Sequence, residues 1–233
     1  MKKNVPLWKK VILIIAEIFL LIIFGYTLLH YRKAWDYILI LLCMIAISLP
    51  LYFEKKTGFS LAGPIYVITI IYGCGNIFGV IFALFGSTVW FDKIMHGFAG
   101  FLFAALGYYH LAYVNKGMSR LNKNVFAFSF SMTVSVIWEM IEFTCDRLFN
   151  LDMQMDSFIT DIHTHIISDD LRRVVHINNI SDVVVNGQTL AGYIDIGLLD
   201  TMYDLIMGAI GALILVLYTS IDKDRHGVAM IKR

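Results

Sequence analysis

Ionisable side chains recur at helical spacing inside long apolar stretches of this chain. Three pairs stand out, each with its members three or four residues apart: Asp92 and His96, Glu139 and Glu142, and Asp200 and Asp204. Residues at this spacing share one face of a helix, so both members of a pair can point the same way. An ionisable group inside a membrane-spanning segment is costly to bury and indicates a functional site by default.

Two kinds of chemistry suit these residues. Carboxylates with one imidazole match the ligands of a Zn, Mn or Fe centre, and carboxylates with waters would satisfy Mg or Ca. Alternatively, clustered acids that cannot all ionise would share protons and form a relay or a cation path. None of the three pairs has the spacing of a diagnostic metal-binding motif. We predict an unidentified divalent metal ion, and six candidate ligands: Asp92, His96, Glu139, Glu142, Asp200 and Asp204.

A purely structural role competes with this hypothesis where the acids lie at the ends of the apolar blocks. Asp92, Asp146 and Asp200 lie at such ends, where water reaches side chains and where a helix N-terminus favours acids. Glu17, about two turns into the first block, could line the bundle or pair with a neighbour. The sequence Asp161-x-His163-x-His165 has metal-like spacing, but its polar surroundings favour a solvated loop.

The elements that position these residues are predicted by the apolar composition. Hydrophobic residues make up 58% of the 233 residues and the mean hydropathy is +0.71, whereas soluble domains have about 45–50% apolar residues. Blocks of about 20 apolar residues are long enough to cross a bilayer as helices. Six such blocks occur: Val11–Leu29, Trp35–Phe53, Phe59–Phe85, Ile94–Val114, Val125–Cys145 and Thr201–Ile221. We therefore expect an all-α integral membrane protein with about six transmembrane helices.

The basic residues predict the orientation. With both termini in the cytoplasm, 13 of the 19 Lys and Arg residues face inward, as the positive-inside rule favours. The first block is longer than the 7–15 residues of a signal-peptide core, so we expect it to be retained as a span. In this orientation the candidate ligands all lie near the outer leaflet.

One long outer loop, residues 151–199, is predicted as an insertion in a single membrane domain of residues 1–233. It carries seven aspartates and two arginines. Within it, Asn186-Gly187 follows a run of valines, and Asn-Gly accepts the positive φ angles of a type I′ turn. We expect a β-hairpin here.

Glycines and cysteines add packing information. Gly75 and Gly79 form a GxxxG sequence, which is typical of a close helix-packing surface. Cys43, Cys74 and Cys145 lie in or beside apolar blocks and are expected to be buried thiols. The net charge of +1 argues against nucleic-acid binding, which needs a basic face.

Three strings of the second half carry a family resemblance: Trp90-Phe-Asp-Lys-Ile-Met-His96-Gly-Phe-Ala-Gly100, Trp138-Glu-Met-Ile-Glu142-Phe, and Asp200-Thr-Met-Tyr-Asp204-Leu-Ile-Met-Gly208. Together they resemble the YjdF-like bacterial inner-membrane family of multi-helix proteins of unknown activity. A fainter likeness to VanZ-like envelope proteins depends on Asp92-Lys-x-x-His96 followed by acids in later spans. The resemblance implies a multi-pass protein of the bacterial plasma membrane and supports the three motifs as one pattern.

Three functions remain open at this point. An enzyme would perform metal-assisted hydrolysis or transfer on a lipid or envelope substrate, with His96, Glu139, Glu142 and Asp204 as ligands and a spare carboxylate as base. An ion- or proton-coupled transporter would need a path through both leaflets, to which Glu17 could contribute. A non-catalytic envelope or assembly factor would use the acidic loop to bind a partner.

Overall fold

The computed structural model describes residues 5–30, 34–57, 60–170 and 172–221. Several of the basic residues used to predict the orientation lie outside these ranges, among them Lys2, Lys3, Arg32 and Arg225. The orientation therefore stays a prediction. The described helices are α1 (Leu7–His30), α2 (Ala34–Thr57), α3 (Gly63–Ile81), α4 (Leu84–Ser87), α5 (Val89–Val114), α6 (Arg120–Phe149) and α7 (Leu198–Ile221).

Six of these helices are long and apolar enough to cross a membrane, which confirms the predicted fold class. The third apolar block differs in detail, because it divides into α3 and the four-residue α4. Pro64 lies in the first turn of α3, where a missing N–H has no structural cost. Ala83 then adopts a left-handed conformation with φ of 52°, which ends the helix before α4 begins.

The chain forms two compact units, residues 1–136 with 204–233, and residues 137–203. In the first unit, α1, α2 and α3 bury a core around Leu20, Ile40 and Tyr66. A second core joins α3, α5, α6 and α7 through small side chains such as Ala127 and Ala212, which have no exposed surface. Small residues let membrane helices approach closely, since lipid offers no hydrophobic drive for helix association.

Gly75 and Gly79 on α3 pack closely against neighbouring side chains, as their GxxxG spacing predicts. A Cβ atom on Gly75 would lie 3.0 Å from the Met95 sulfur, and one on Gly79 would collide with the rings of Phe85 and Phe91. These glycines therefore receive large side chains of α4 and α5, which fixes the start of α5 against α3.

The described part of the second unit contains six short strands: β1 (Ser157–Ile159), β2 (Ile162–Thr164), β3 (Val175–Ile177), β4 (Val183–Val185), β5 (Gln188–Leu190) and β6 (Tyr193–Asp195). They pair antiparallel as β1 with β6, β2 with β3, and β4 with β5. Asn186 and Gly187 have φ angles of 50° and 82°, so the predicted hairpin and its Asn-Gly turn are confirmed.

Candidate metal centre

Glycines bring the helices α5 and α7 into backbone contact next to the ionisable residues. A Cβ atom on Gly100 would collide with the carbonyl group of Gly208, and one on Gly211 would collide with the carbonyl oxygen of Gly97. Ser131 of α6 donates a hydrogen bond of 2.8 Å to the carbonyl oxygen of Gly100 and fixes a third helix beside them. This approach positions the early turns of α5 against Asp204 of α7.

Four ionisable side chains meet at this crossing. Asp92, Lys93 and Asp204 are buried, and His96 has 13% of its side chain exposed. The Lys93 ammonium lies 3.1 Å from Asp92 Oδ2 and 2.8 Å from Asp204 Oδ1. His96 Nε2 lies 3.5 Å from Asp92 Oδ1 and 3.9 Å from Asp204 Oδ2. Each carboxylate thus turns one oxygen to the ammonium and the other to the imidazole.

This division of oxygens leaves a ligand set on the imidazole side. Asp92, His96 and Asp204 each offer one ligand atom, and the three atoms lie within 4.8 Å of one another. Ligands bound to one tetrahedral ion at about 2.0–2.2 Å lie roughly 3.2–3.6 Å apart. The two imidazole-to-carboxylate distances, 3.5 and 3.9 Å, fall at or slightly above this range, so a shift of a few tenths of an ångström would bring each of these two pairs to it.

Lys93 is the site residue that sequence reasoning missed. We counted it as a basic residue of an outer segment, because the fourth apolar block begins at Ile94. The helix begins earlier, at Val89, and the lysine is 6% exposed. Its position in the sequence, directly after Asp92 and three residues before His96, could have indicated that it belongs to the site, because a buried acid needs a counter-charge.

The other three predicted ligands belong to the second unit. Glu139, Glu142 and Asp200 are each less than 9% exposed. Glu142 Oε1 accepts a hydrogen bond of 2.7 Å from the indole nitrogen of Trp138, one turn earlier on α6. Their burial agrees with the expected cost of intramembrane acids, and their membership of one ligand set with Asp92, His96 and Asp204 stays a prediction.

Two further acids have structural partners. The Asp146 carboxylate accepts the backbone N–H groups of Met153 and Gln154, at 2.7 and 2.9 Å, and so orders the chain after α6. Glu17 on α1 accepts a 2.9 Å hydrogen bond from Ser48 on α2. Asp146 therefore has the structural role that was the alternative to a functional one. Glu17 pairs with a neighbouring helix, which was one of the two roles predicted for it.

A sequence profile of one protein family, described as "Predicted membrane protein (DUF2238)", matches residues 10–225. The chain belongs to the DUF2238 family. The match is consistent with the predicted resemblance to YjdF-like membrane proteins, and confirms it. No significant match is found among curated proteins or among solved structures. For this DUF2238 protein the matched range includes Asp92, Lys93, His96 and Asp204, while the family description states a membrane protein and names no activity.

Proposed function

We propose that this DUF2238 protein binds one divalent metal ion through Asp92, His96 and Asp204, and that the ion supports hydrolysis or transfer on a lipid or envelope substrate. The observation that carries the proposal is the convergence of one imidazole and two carboxylates from two helices. A mixed nitrogen and oxygen ligand set suits Zn, Mn or Fe. We place the site at the outer leaflet of a bacterial plasma membrane, following the orientation predicted from the basic residues.

Lys93 supports the proposal because of the oxygens it contacts. Its ammonium group lies against Asp92 Oδ2 and Asp204 Oδ1, whereas the imidazole lies near the opposite oxygen of each carboxylate. In this arrangement the lysine orients the two ligands from behind, as partners outside the ligand set commonly do in metal sites. It also offsets part of the repulsion between the two acids when no ion is bound.

We infer a catalytic and not a structural role for the ion from the three ligands that the first unit supplies. Structural zinc sites use four protein ligands, whereas catalytic sites use three and keep a position for water or substrate. Asp92, His96 and Asp204 supply three. A water bound in the remaining position would become a nucleophile at neutral pH, which is the chemistry needed to cleave an ester or phosphoester of a membrane substrate.

The proposal is tested by metal content and unfolding of the full chain in detergent. We expect about one equivalent of Zn or Mn, a lower unfolding temperature after chelation, and recovery with one particular ion. An ion present at 100 times its Kd stabilises the folded state by about 2.7 kcal/mol. His96→Gln and Asp204→Asn should each contain one equivalent less and lose the response to chelation.

Asp182→Asn is the matched control, because it removes an exposed carboxylate of the second unit, directly before β4. This variant should bind metal and respond to chelators as the wild type does. His96→Gln keeps both carboxylates and Lys93, so it separates loss of metal from loss of folding. Wild-type protein without metal, whose unfolding ignores chelators and whose stability rises on acidification, would overturn the proposal and leave a proton-sharing cluster, with ion- or proton-coupled transport as the function to test.

A further inference from the structure

Two histidines face each other across the β2 and β3 strands of the second unit. His163 on β2 pairs directly with His176 on β3 in the antiparallel register. Their ring centres lie 4.2 Å apart and the ring planes are tilted by 43°. Both side chains are exposed to solvent. The sequence Asp161-x-His163-x-His165 has metal-like spacing, but in the structure the residue opposite His163 is His176, thirteen residues further along the chain.

We infer that His163 and His176 form a second metal site, for a transition metal of the Cu²⁺, Ni²⁺ or Zn²⁺ class. Imidazole nitrogen is a preferred ligand of these ions. Two imidazoles bound to one ion at about 2.0–2.1 Å would have their ring centres roughly 4.5–5.2 Å apart, slightly more than the 4.2 Å that separates the pair. The strand pairing brings the two rings to within about 1 Å of this separation before any ion binds.

The neighbouring groups define what kind of site this is. His165 follows directly after β2, and its Nδ1 atom lies 3.2 Å from the carbonyl oxygen of Arg173. Asp161 accepts hydrogen bonds from Thr160 and from the backbone N–H of Asn179. Within the described ranges, no third His, Cys, Asp or Glu completes a compact ligand group with the pair.

The site therefore has two protein ligands, and water fills its remaining positions. Such a site exchanges its ion readily, unlike a buried centre with three ligands. A bound ion would also join β2 to β3, whose three-residue strands are too short to be stable by pairing alone. The inference depends on residues of the second unit only and does not depend on the proposed intramembrane centre.

The test uses full-length protein in detergent, titrated with Cu²⁺ and followed by calorimetry and electron paramagnetic resonance. We expect a bound Cu²⁺ with two nitrogen ligands whose signal disappears in His163→Gln and in His176→Gln, with affinity reduced at least tenfold, on the order of 1.4 kcal/mol. His165→Gln is the matched control, because this exposed histidine lies just after β2, and it should keep the site.

The same experiment separates this site from the intramembrane centre. His96→Gln should keep the two-nitrogen Cu²⁺ signal, and His163→Gln should keep the metal-dependent unfolding temperature. Hydrogen exchange adds a second readout, because Cu²⁺ should slow exchange of the β2 and β3 amides in the wild type and not in His176→Gln. Unchanged Cu²⁺ binding in both His163→Gln and His176→Gln, or its loss in His165→Gln alone, would overturn the inference.

Discussion

Among the described residues of the first unit, two lysines are buried, and they are ion-paired in different ways. Lys9 on α1 is 2% exposed and Lys93 on α5 is 6% exposed. Burying a charge in a membrane protein is costly unless the charge is paired and hydrogen-bonded. Both lysines satisfy this condition, so burial alone does not separate a structural ion pair from a functional site.

Lys9 forms an ion pair with a single acid, Glu54. Its ammonium donates to Glu54 at 2.7 Å, to Ser60 Oγ at 2.9 Å and to the carbonyl oxygen of Leu61 at 2.6 Å. An ammonium has three donors, and all three are used. The Tyr66 hydroxyl donates to the carbonyl oxygen of Lys9, and its ring lies 5.4 Å from the ammonium. This neutral, fully bonded group ties the start of α1 to the end of α2 and the start of α3.

At Lys93 one base meets two acids and an imidazole. The ammonium contacts Asp92 and Asp204, and with a neutral His96 these four side chains carry one excess negative charge. The Lys9 group has no charge left over for a ligand, whereas the Lys93 group has oxygen and nitrogen atoms placed to bind a cation. The balance of charge, and not burial, therefore distinguishes the candidate site from the Lys9 ion pair.

The largest expected effect comes from breaking the Lys9 pair. Lys9→Met leaves Glu54 buried without its counter-charge, and we expect a loss of about 3–5 kcal/mol in unfolding free energy. The double variant Lys9→Met with Glu54→Gln removes both charges and should recover much of this loss. Unfolding of the protein in mixed micelles measures both.

Lys10→Met is the control for this prediction, since Lys10 is the neighbouring lysine and is exposed. It should change stability by less than about 0.5 kcal/mol. A Lys9→Met variant as stable as Lys10→Met would contradict the prediction and would place the Lys9 ammonium in water or headgroups. Metal content should be unaffected by either lysine substitution, since neither residue contributes to the Asp92, His96 and Asp204 ligand set.

A smaller effect is expected where α5 and α7 touch. Gly100→Ala places a methyl group against the backbone of Gly208, so the helices must separate, at a cost of about 1–3 kcal/mol. Since this crossing positions Asp204 beside Asp92 and His96, we also expect weaker metal binding. Calorimetric titration with the metal and unfolding in detergent measure the two effects.

Gly25→Ala provides a matched control, because a Cβ atom at Gly25 has no neighbour within 4 Å. This substitution on α1 should leave metal affinity unchanged. If Gly100→Ala binds metal as tightly as Gly25→Ala does, then the close approach of α5 and α7 does not position the ligands, and the proposed centre loses its structural basis.

The elements were predictable because their signals are local. Blocks of apolar residues specify the spanning helices, and Asn186-Gly187 specifies its own turn through the positive φ angles that it accepts. Helix spacing also paired Asp92 with His96 and Asp200 with Asp204, and the predicted orientation placed both pairs near the outer leaflet. These features need no knowledge of which helix packs against which.

The pairing of the two lysines could not be predicted in the same way. Lys9 and Glu54 lie 45 residues apart, at the ends of α1 and α2, and each has the sequence position of an ordinary flanking charge. Lys93 was assigned to an outer segment for the same reason. A charge at the end of an apolar block is compatible with water, headgroup or protein surroundings, and only the packing of helices selects among them. The partner of His163 was missed because His176 reaches it through strand pairing and not through sequence spacing.

The smallest expected effect concerns acids that are exposed. Partial burial raises the pKa of the Asp156 carboxyl above its ordinary value of 3.8, the nearby Asp152, Asp146 and Asp195 carboxylates raise it further, and Arg147 opposes them. A raised pKa in the folded loop means that protonation stabilises it. The contribution of Asp156 to loop stability is therefore most favourable below pH 3.8 and declines as the pH rises through the raised pKa.

Removing this charge should sharpen the contrast with the buried groups. Asp156→Asn abolishes the repulsion at neutral pH, so we expect slightly slower hydrogen exchange in β1 and β6, the strands that flank it, and a weaker pH dependence of that exchange. The effect should be small and should shrink further in high salt, because water and ions screen exposed charges. Asp182→Asn, at an exposed acid just before β4, should leave β1 and β6 unchanged. An Asp156→Asn effect that persists in high salt would show that the acids of this loop interact as strongly as buried acids do. Burial and charge balance would then not be enough to distinguish the Lys93 group from an ordinary acidic surface.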